Sequence, residues 1–231
     1  MTDNPLILEA KNLKVHFFTD EGVVKAIDGV DIKVEKGKTL CLVGESGCGK
    51  SVTCRAFLGI VQPPGKIVEG DIIFHREGEE PINIAKMKPK GKEIRHIRGK
   101  EISMIFQEPM TSLSMMYTVG NQISENILLH TDLTKDEARE RSIELLGQVG
   151  IPDPERLVDE YPFRLSGGMR QRAMIAMALS CNPHMLIADE PTTALDVTTQ
   201  ANILDLMLDL QKEYGMDLRC ISHDLGGAAE I

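Results

Sequence analysis

Tryptophan is absent from this chain, and aromatic residues make up only 4% of its 231 residues. A core built from such a sequence is aliphatic and methionine-rich, with 12 Met. The aromatic side chains that single-stranded nucleic-acid binders set among basic residues for base stacking are missing. Positive charge is also short: 26 Lys and Arg stand against 35 Asp and Glu, a net charge of −9, which argues against nucleic acid held by bulk charge. No apolar run approaches the roughly 18 residues that a membrane-spanning helix needs. The start, Met1-Thr2-Asp3-Asn4-Pro5, has neither the basic nor the apolar stretch of a secretory signal. The five cysteines, Cys41, Cys48, Cys54, Cys181 and Cys220, are odd in number and show no C-x-x-C spacing, so they read as reduced thiols. What remains, at 42% hydrophobic content, is one generous domain or one core with an inserted lobe.

Against those absences one stretch stands out. Gly44-Glu45-Ser46-Gly47-Cys48-Gly49-Lys50-Ser51 reads G-x-x-x-x-G-K-S straight after the apolar run Leu40-Cys41-Leu42-Val43. A buried strand, a glycine loop and then a helix build a cradle in which consecutive backbone N–H groups face one anion. Lys50 brings a point charge to the β- and γ-phosphates, and Ser51 brings a hydroxyl to Mg²⁺. A turn that merely needs glycine is the plainer alternative. The strand before the loop and the helix-like residues 51–60 after it weigh against that.

The first third of the chain reads as strands, with alternation over residues 11–17 and 30–34 and further candidates at 67–74 and 102–106. The polar stretch 76–100 has a basic half, Lys86, Lys88, Lys90, Lys92, Arg95, Arg98 and Lys100, and reads as a solvated surface excursion rather than a nucleic-acid or lipid contact. The middle third is helical. Candidates are residues 119–129, then 134–149 with Thr134 and Glu137 spaced as a capping box, a short helix from Asp153-Pro154, and a long one from Leu165 to Leu179. Strand, helix and strand follow at 185–188, 197–214 and 218–222. Strands alternating with helices around a phosphate loop predict an α/β core with a parallel sheet and an inserted helical stretch.

Two further motifs carry chemistry. His184-Met185-Leu186-Ile187-Ala188-Asp189-Glu190 is an apolar strand ending in two carboxylates, and strand ends gather at the ligand crevice of a parallel sheet. Asp189 is expected beside Mg²⁺. Glu190, pointing elsewhere by strand alternation, is placed to polarise the water that attacks the γ-phosphate. Leu165-Ser166-Gly167-Gly168-Met169-Arg170-Gln171 gives a natural N-cap followed by two glycines at a helix start, a second anion site in a chain that already has one.

With these three motifs in order, the chain closely resembles the ATP-binding cassette (ABC) ATPases over nearly its whole length. The resemblance implies a P-loop NTPase fold: a mainly parallel core sheet, an N-terminal antiparallel β subdomain and an inserted α-helical subdomain. Its boundaries would be core residues 1–108 and 181–231 with helical residues 109–180. It makes Ser166, Gly167 and Gly168 the signature that closes on the ATP held by residues 44–52, Gly44 through Val52, of a second cassette. Gln107 falls at the glutamine that touches Mg²⁺ and water, Asp196 in the D-loop, and His223 at the switch histidine that meets the γ-phosphate. Phe17 falls where an aromatic stacks on adenine, although Phe18 serves as well on sequence. The catalytic set implied is Glu190, His223, Gln107 and Lys50. The Mg²⁺ set is Ser51, Gln107 and Asp189.

Finer features resemble the ATPase subunits of dipeptide/oligopeptide and nickel importers: Met169 in the signature, Asp189-Glu190-Pro191-Thr192-Thr193-Ala194-Leu195-Asp196-Val197, and Phe106-Gln107-Glu108-Pro109-Met110-Thr111-Ser112-Leu113. The partners implied are a second ATPase subunit, like or unlike, and membrane permease subunits met near Tyr117-Thr118-Val119-Gly120. An extracytoplasmic substrate-binding protein is implied indirectly, and nucleic acid is not. The place implied is the cytoplasmic face of the membrane, peripherally. Ser114-Met115-Met116 departs from the Asn-Pro expected there, and Gly227-Ala228 from bulkier aliphatics. The chain stops at Ile231, where the resemblance leads one to expect a further strand and a tail that in some members carries a Cys-rich iron–sulfur site. The alternatives are a soluble ABC ATPase of DNA repair or translation, which would bring a long coiled-coil insert or a second cassette, and a P-loop kinase or GTPase, which would have no use for Ser166-Gly167-Gly168. An inactive partner subunit is disfavoured by Lys50, Asp189, Glu190 and His223 together.

Overall fold

The computed structural model describes residues 5–76, 78–107, 112–190 and 217–222, together with 200, 201, 203, 205–207, 209 and 210. Strands β1 (Leu6–Thr19) and β2 (Gly22–Glu35) form an antiparallel hairpin that closes at Thr19↔Gly22. Burial along β1 changes parity partway. Leu8 and Ala10 face the core, then Leu13 and Val15. The register shift between Ala10 and Leu13, with Asn12 at φ 46, inserts the extra residue that makes this possible. Strand β4 (Gly65–Phe74) pairs with the other edge of β1, and the short β5 (Ile82–Asn83) completes a sheet of order β2-β1-β4-β5.

The second sheet is parallel: β3 (Leu40–Val43), β6 (Ile102–Ile105), β7 (Met185–Asp189) and β8 (Asp217–Ser222), in the order β3-β8-β7-β6. Every residue of β6 and β7 is buried, as expected of a parallel sheet covered on both faces. Helix α1 (Lys50–Phe57) follows β3, and α2 (Lys92–Lys100) precedes β6. Between β6 and β7 lie α3 (Val119–His130), α4 (Lys135–Gln148), α5 (Pro154–Leu157) and α6 (Gly167–Leu179). The capping box of α4 forms as the spacing predicts: Thr134 Oγ1 accepts from the Glu137 N–H at 3.3 Å, and Glu137 Oε2 accepts from the Thr134 N–H at 2.8 Å. The described residues between 200 and 210 are helical, with Ile203, Met207 and Leu210 buried on one side. Among the described residues no helix is long and apolar enough to cross a membrane.

Two apolar layers meet at the parallel sheet. Ile105, Leu186 and Ala188 join Val119, Ile123, Leu145, Ala173 and Ile203 in one core. Ile102, Met104, Met185 and Ile187 join Leu8, Val15, Phe57 and Phe74 in the other. The polar stretch 76–100 is more than a solvated excursion. It holds β5, a 3-10 turn (Ile84–Lys86) and α2, and it sinks Ile84, Ile94 and Ile97 into the second core. Three isoleucines spaced among lysines are enough to anchor it, while most of the charged groups stay outside.

Candidate functional site

Strand β3 delivers the chain to residue 44, and α1 begins at Lys50. Gly49, the N-cap, has φ 94, and a Cβ there would stand 2.6 Å from the Ala26 carbonyl oxygen. Only glycine fits this turn. No side chain caps α1, and a helix start without a side-chain cap is a ready place for an anion. Lys50 is 8% exposed and folds back over the loop. Its Nζ donates to the carbonyls of Gly44 at 2.6 Å and Glu45 at 2.9 Å, beside Cys48 Sγ at 3.8 Å. Cys48 itself is exposed, as are Glu45, Ser46 and Gly47, while Val52 is half-buried.

The carboxylates arrive from β7, against which α1 packs. Asp189, 1% exposed, accepts from Ser51 Oγ at 2.8 Å across 138 positions of sequence. Its Oδ2 is buried and has no hydrogen-bond partner among the described residues. Burial pushes the Asp189 carboxyl above the usual carboxylate range; the Ser51 hydrogen bond opposes this and the neighbouring Glu190 adds to it. Glu190, 4% exposed, sits at φ 50, in the left-handed region. Its Oε2 accepts from Gln107 Nε2 at 2.7 Å. Gln107 follows β6, so the C-terminal ends of β3, β6 and β7 bring Lys50, Ser51, Gln107, Asp189 and Glu190 to one crevice. The fourth strand end, Ser222, precedes His223, which lies outside the described residues, as does Asp196.

The remaining predicted residues lie on other elements, β1 and the start of α6. Phe17 is half-buried against the second core, and a Cβ on Gly65 would stand 2.7 Å from its ring. Phe18 is 45% exposed, with Lys66 Nζ 5.7 Å from its ring centre. Ser166 caps α6 by accepting from the Met169 N–H at 3.3 Å. Ser166 and Gly167 are exposed, Gly168 half-buried, and no hydrogen bond joins Ser166 to residues 44–51. A turn further along α6, Gln171 is 1% exposed with no partner for Nε2 among the described residues. Sequence reading gave it no role, because a polar residue inside a helix reads as solvent-facing.

The donor set suits a hard cation. Ser51 Oγ and both Asp189 oxygens are hard donors, one of those oxygens is orphaned, and the rest of a magnesium shell ordinarily comes from phosphates and water. Among the described residues no group of three or more His, Cys, Asp or Glu could hold a metal ion by itself.

Comparisons with known proteins relate the chain to ATP-binding transport proteins and cassettes. The chain is 50% identical over 225 residues to the oligopeptide transport ATP-binding protein AppD of Bacillus subtilis (strain 168), covering 97% of this chain and 66% of that protein. It is 46% identical over 226 residues to the glutathione import ATP-binding protein GsiA of Escherichia coli (strain K12), covering 97% of this chain and 36% of that protein. The chain therefore spans just under two thirds of the length of AppD and about a third of GsiA. Among solved structures, the dimeric post-hydrolysis state of the ATP-binding cassette MJ0796 bound to ADP and Pi superposes with a TM-score of 0.82 at 26% identity, over 96% of this chain and 90% of that one. The ABC transporter family profile matches residues 27–193, which hold both the phosphate loop and the paired carboxylates, and the chain belongs to that family.

Proposed function

We propose that this chain is the ATP-binding and ATP-hydrolysing subunit of an importer for peptides, working as a dimer of cassettes at the cytoplasmic face of the membrane. The observation that carries the reading is the pair of hydrogen bonds at the crevice, Ser51 to Asp189 and Gln107 to Glu190, beside a glycine loop that Lys50 folds over.

In this reading the loop N–H groups of residues 44–52 receive the phosphates, and Lys50 exchanges the Gly44 and Glu45 carbonyls for phosphate oxygens. Ser51, Asp189 and Gln107 would hold Mg²⁺, which when bound would supply positive charge against that building on the transferred phosphoryl group. Glu190 takes a proton from the attacking water, and Gln107 fixes which way that carboxylate faces. Phe17 or Phe18 stacks on adenine; the exposed ring of Phe18 supports it as the platform, while the family position supports Phe17. From the resemblance, Asp196 and His223 complete the site.

Exposure of Ser166 and Gly167 supports the second half of the proposal, in which the signature of one copy closes on the nucleotide of the other. The dimeric state of the cassette bound to ADP and Pi supports it further. Exposed Met116 (80%) and Tyr117 (60%), and Leu129 (72%), which lines a groove of 540 Å³ along α3 and α4, support contact with a permease through apolar side chains. A substrate-binding protein would deliver the peptide on the far side. The printed functions of AppD and GsiA, oligopeptide transport and glutathione import, support peptides as the substrate class.

The test is ATP turnover by the purified chain with Mg²⁺, alongside pull-down of its membrane partners. Turnover and co-purifying permease subunits are expected. A chain that neither binds nor cleaves ATP, or that brings down DNA or ribosomes instead, overturns the proposal.

A further inference from the structure

Helix α1 has two ends with different needs. Its N-terminus forms the phosphate loop. Its C-terminus is closed by Gly59, φ +60, in a Schellman arrangement: Gly59 N donates to the Ala56 carbonyl at 2.8 Å and Ile60 N to the Arg55 carbonyl at 2.9 Å. That arrangement leaves the carbonyls of Leu58 and Gly59 pointing out of the helix end. One side chain takes both. Arg98 Nε donates to the Leu58 oxygen and Nη2 to the Gly59 oxygen, each at 2.8 Å, and its Nη1 donates to the Pro89 oxygen at 2.8 Å.

The position of Arg98 in the chain gives these bonds their meaning. It sits where α2 loses helical geometry: Arg98 has ψ 122 and Gly99 has φ 87. It bridges to Ile102, the first residue of β6, and β6 leads directly to Gln107. Its neighbours Ile94 and Ile97 are buried in the core that also holds Phe57 and Leu58. A guanidinium presents several donors in a fixed fork, and a cation at a helix C-terminus also favours the helix dipole. Its bonds reach the closed end of α1, about 12 Å from the phosphate loop by the rise of an eight-residue helix.

We propose that Arg98 is a positioning residue for the phosphoryl chemistry: a strut that fixes α1, carrying Lys50 and Ser51, relative to β6, carrying Gln107. The inference rests on the ATPase reading above. It assigns Arg98 no contact with nucleotide. The phosphate cradle has its own support, through loop N–H groups, Lys50 and the Ser51–Asp189 bond, so binding does not depend on the strut. The geometry between Ser51 and Gln107 does, and it matters only in the chemical step.

The experiment uses the full chain and compares wild type with Arg98→Gln, Arg98→Lys and, as a control, Arg95→Ala, a neighbour whose side chain, among the described residues, bonds only the Lys90 and Gly91 carbonyls. Turnover, affinity for a fluorescent ATP analogue and thermal midpoint are read for each. Arg98→Gln is expected to lower kcat by about tenfold while affinity stays within about twofold, since a misplacement near 1 Å is enough to slow a positioned reaction. Arg98→Lys is expected to recover part of kcat, because an ammonium can reach the two helix-end carbonyls but cannot fork to Pro89. Wild-type kcat in Arg98→Gln, or kcat and affinity falling together, overturns the proposal. If Arg98→Gln does not fold, Arg98→Lys decides: reduced kcat at unchanged affinity supports the strut, and unchanged kcat overturns it. If wild type itself lacks turnover, the ATPase reading fails separately. The strut is then read from amide hydrogen exchange at residues 58–61, faster in Arg98→Lys if Arg98 holds that helix end and unchanged if it does not.

Discussion

The N-termini of α1 and α6 both begin with glycine-rich sequence, yet the molecule treats them differently. At α1 the cradle is internally furnished: Lys50 is buried over it, and Ser51 is tied to Asp189. At α6 there is Ser166, exposed and, among the described residues, bonded only within its own first turn, with no cation or carboxylate bonded to it. In the proposed reading, one end holds the machinery for an anion and its counter-ion. The other holds donors alone, which is what a surface needs when the rest of the site comes from another copy. The comparison teaches that anion-binding capacity at a helix start is inexpensive, and that the side chains set around it decide whether the site is complete.

The largest effect expected is at the complete end. Lys50→Ala is expected to lower ATP turnover by about 100-fold or more and to weaken nucleotide binding, measured by phosphate release and by fluorescence titration. Retention of both would make the two helix ends equivalent and break the comparison. Glu190→Gln is expected next, with turnover down by about 100-fold at near-normal affinity, because the amide cannot accept the water's proton. Dimers should accumulate in ATP, visible by size-exclusion chromatography; a monomer under those conditions would count against a shared site. Ser166→Arg sharpens the contrast: affinity of the single chain is unchanged, but turnover falls by about tenfold and the ATP-dependent dimer is lost, since a long cation replaces a small cap at the surface that closes. The smallest effect belongs to an N-cap outside both sites. Thr134→Ala removes the capping box of α4 and is expected to cost about 1 kcal/mol in unfolding free energy with turnover unchanged. A loss of turnover there would mean that cap chemistry, rather than position, explains Ser166.

Much of the site was legible because its residues are contiguous. Residues 44–51 and the pair Asp189-Glu190 are short runs in which residue type and order carry the chemistry. The capping box was legible for the same reason. What sequence hid were relations across distance. Gln107 and Glu190 meet across 83 positions, and nothing local in either says so; only the family resemblance linked them to one site. Alternation predicts different directions for Asp189 and Glu190, and the two take different partners, Ser51 and Gln107, but it does not foresee the left-handed backbone at Glu190. The parity change in β1 depends on one extra residue at Asn12, invisible to a count of alternating apolar positions until the pairing with β2 is known. Arg98 was read among solvated lysines because charge runs usually are solvated. Its proposed role depends on the two carbonyls it binds at the end of a helix about forty positions earlier.

Strands β6 and β7 supply alternate residues to both apolar layers, Ile105 and Ala188 to one and Met104 and Ile187 to the other. A strand gripped this way from above and below cannot slide along one layer without dragging the other. The proposed general base and its glutamine partner ride at the tips of these two strands. A push delivered to the helical side by a neighbouring protein would thus be felt at the reacting atoms as a change of alignment, with no lever arm needed in between.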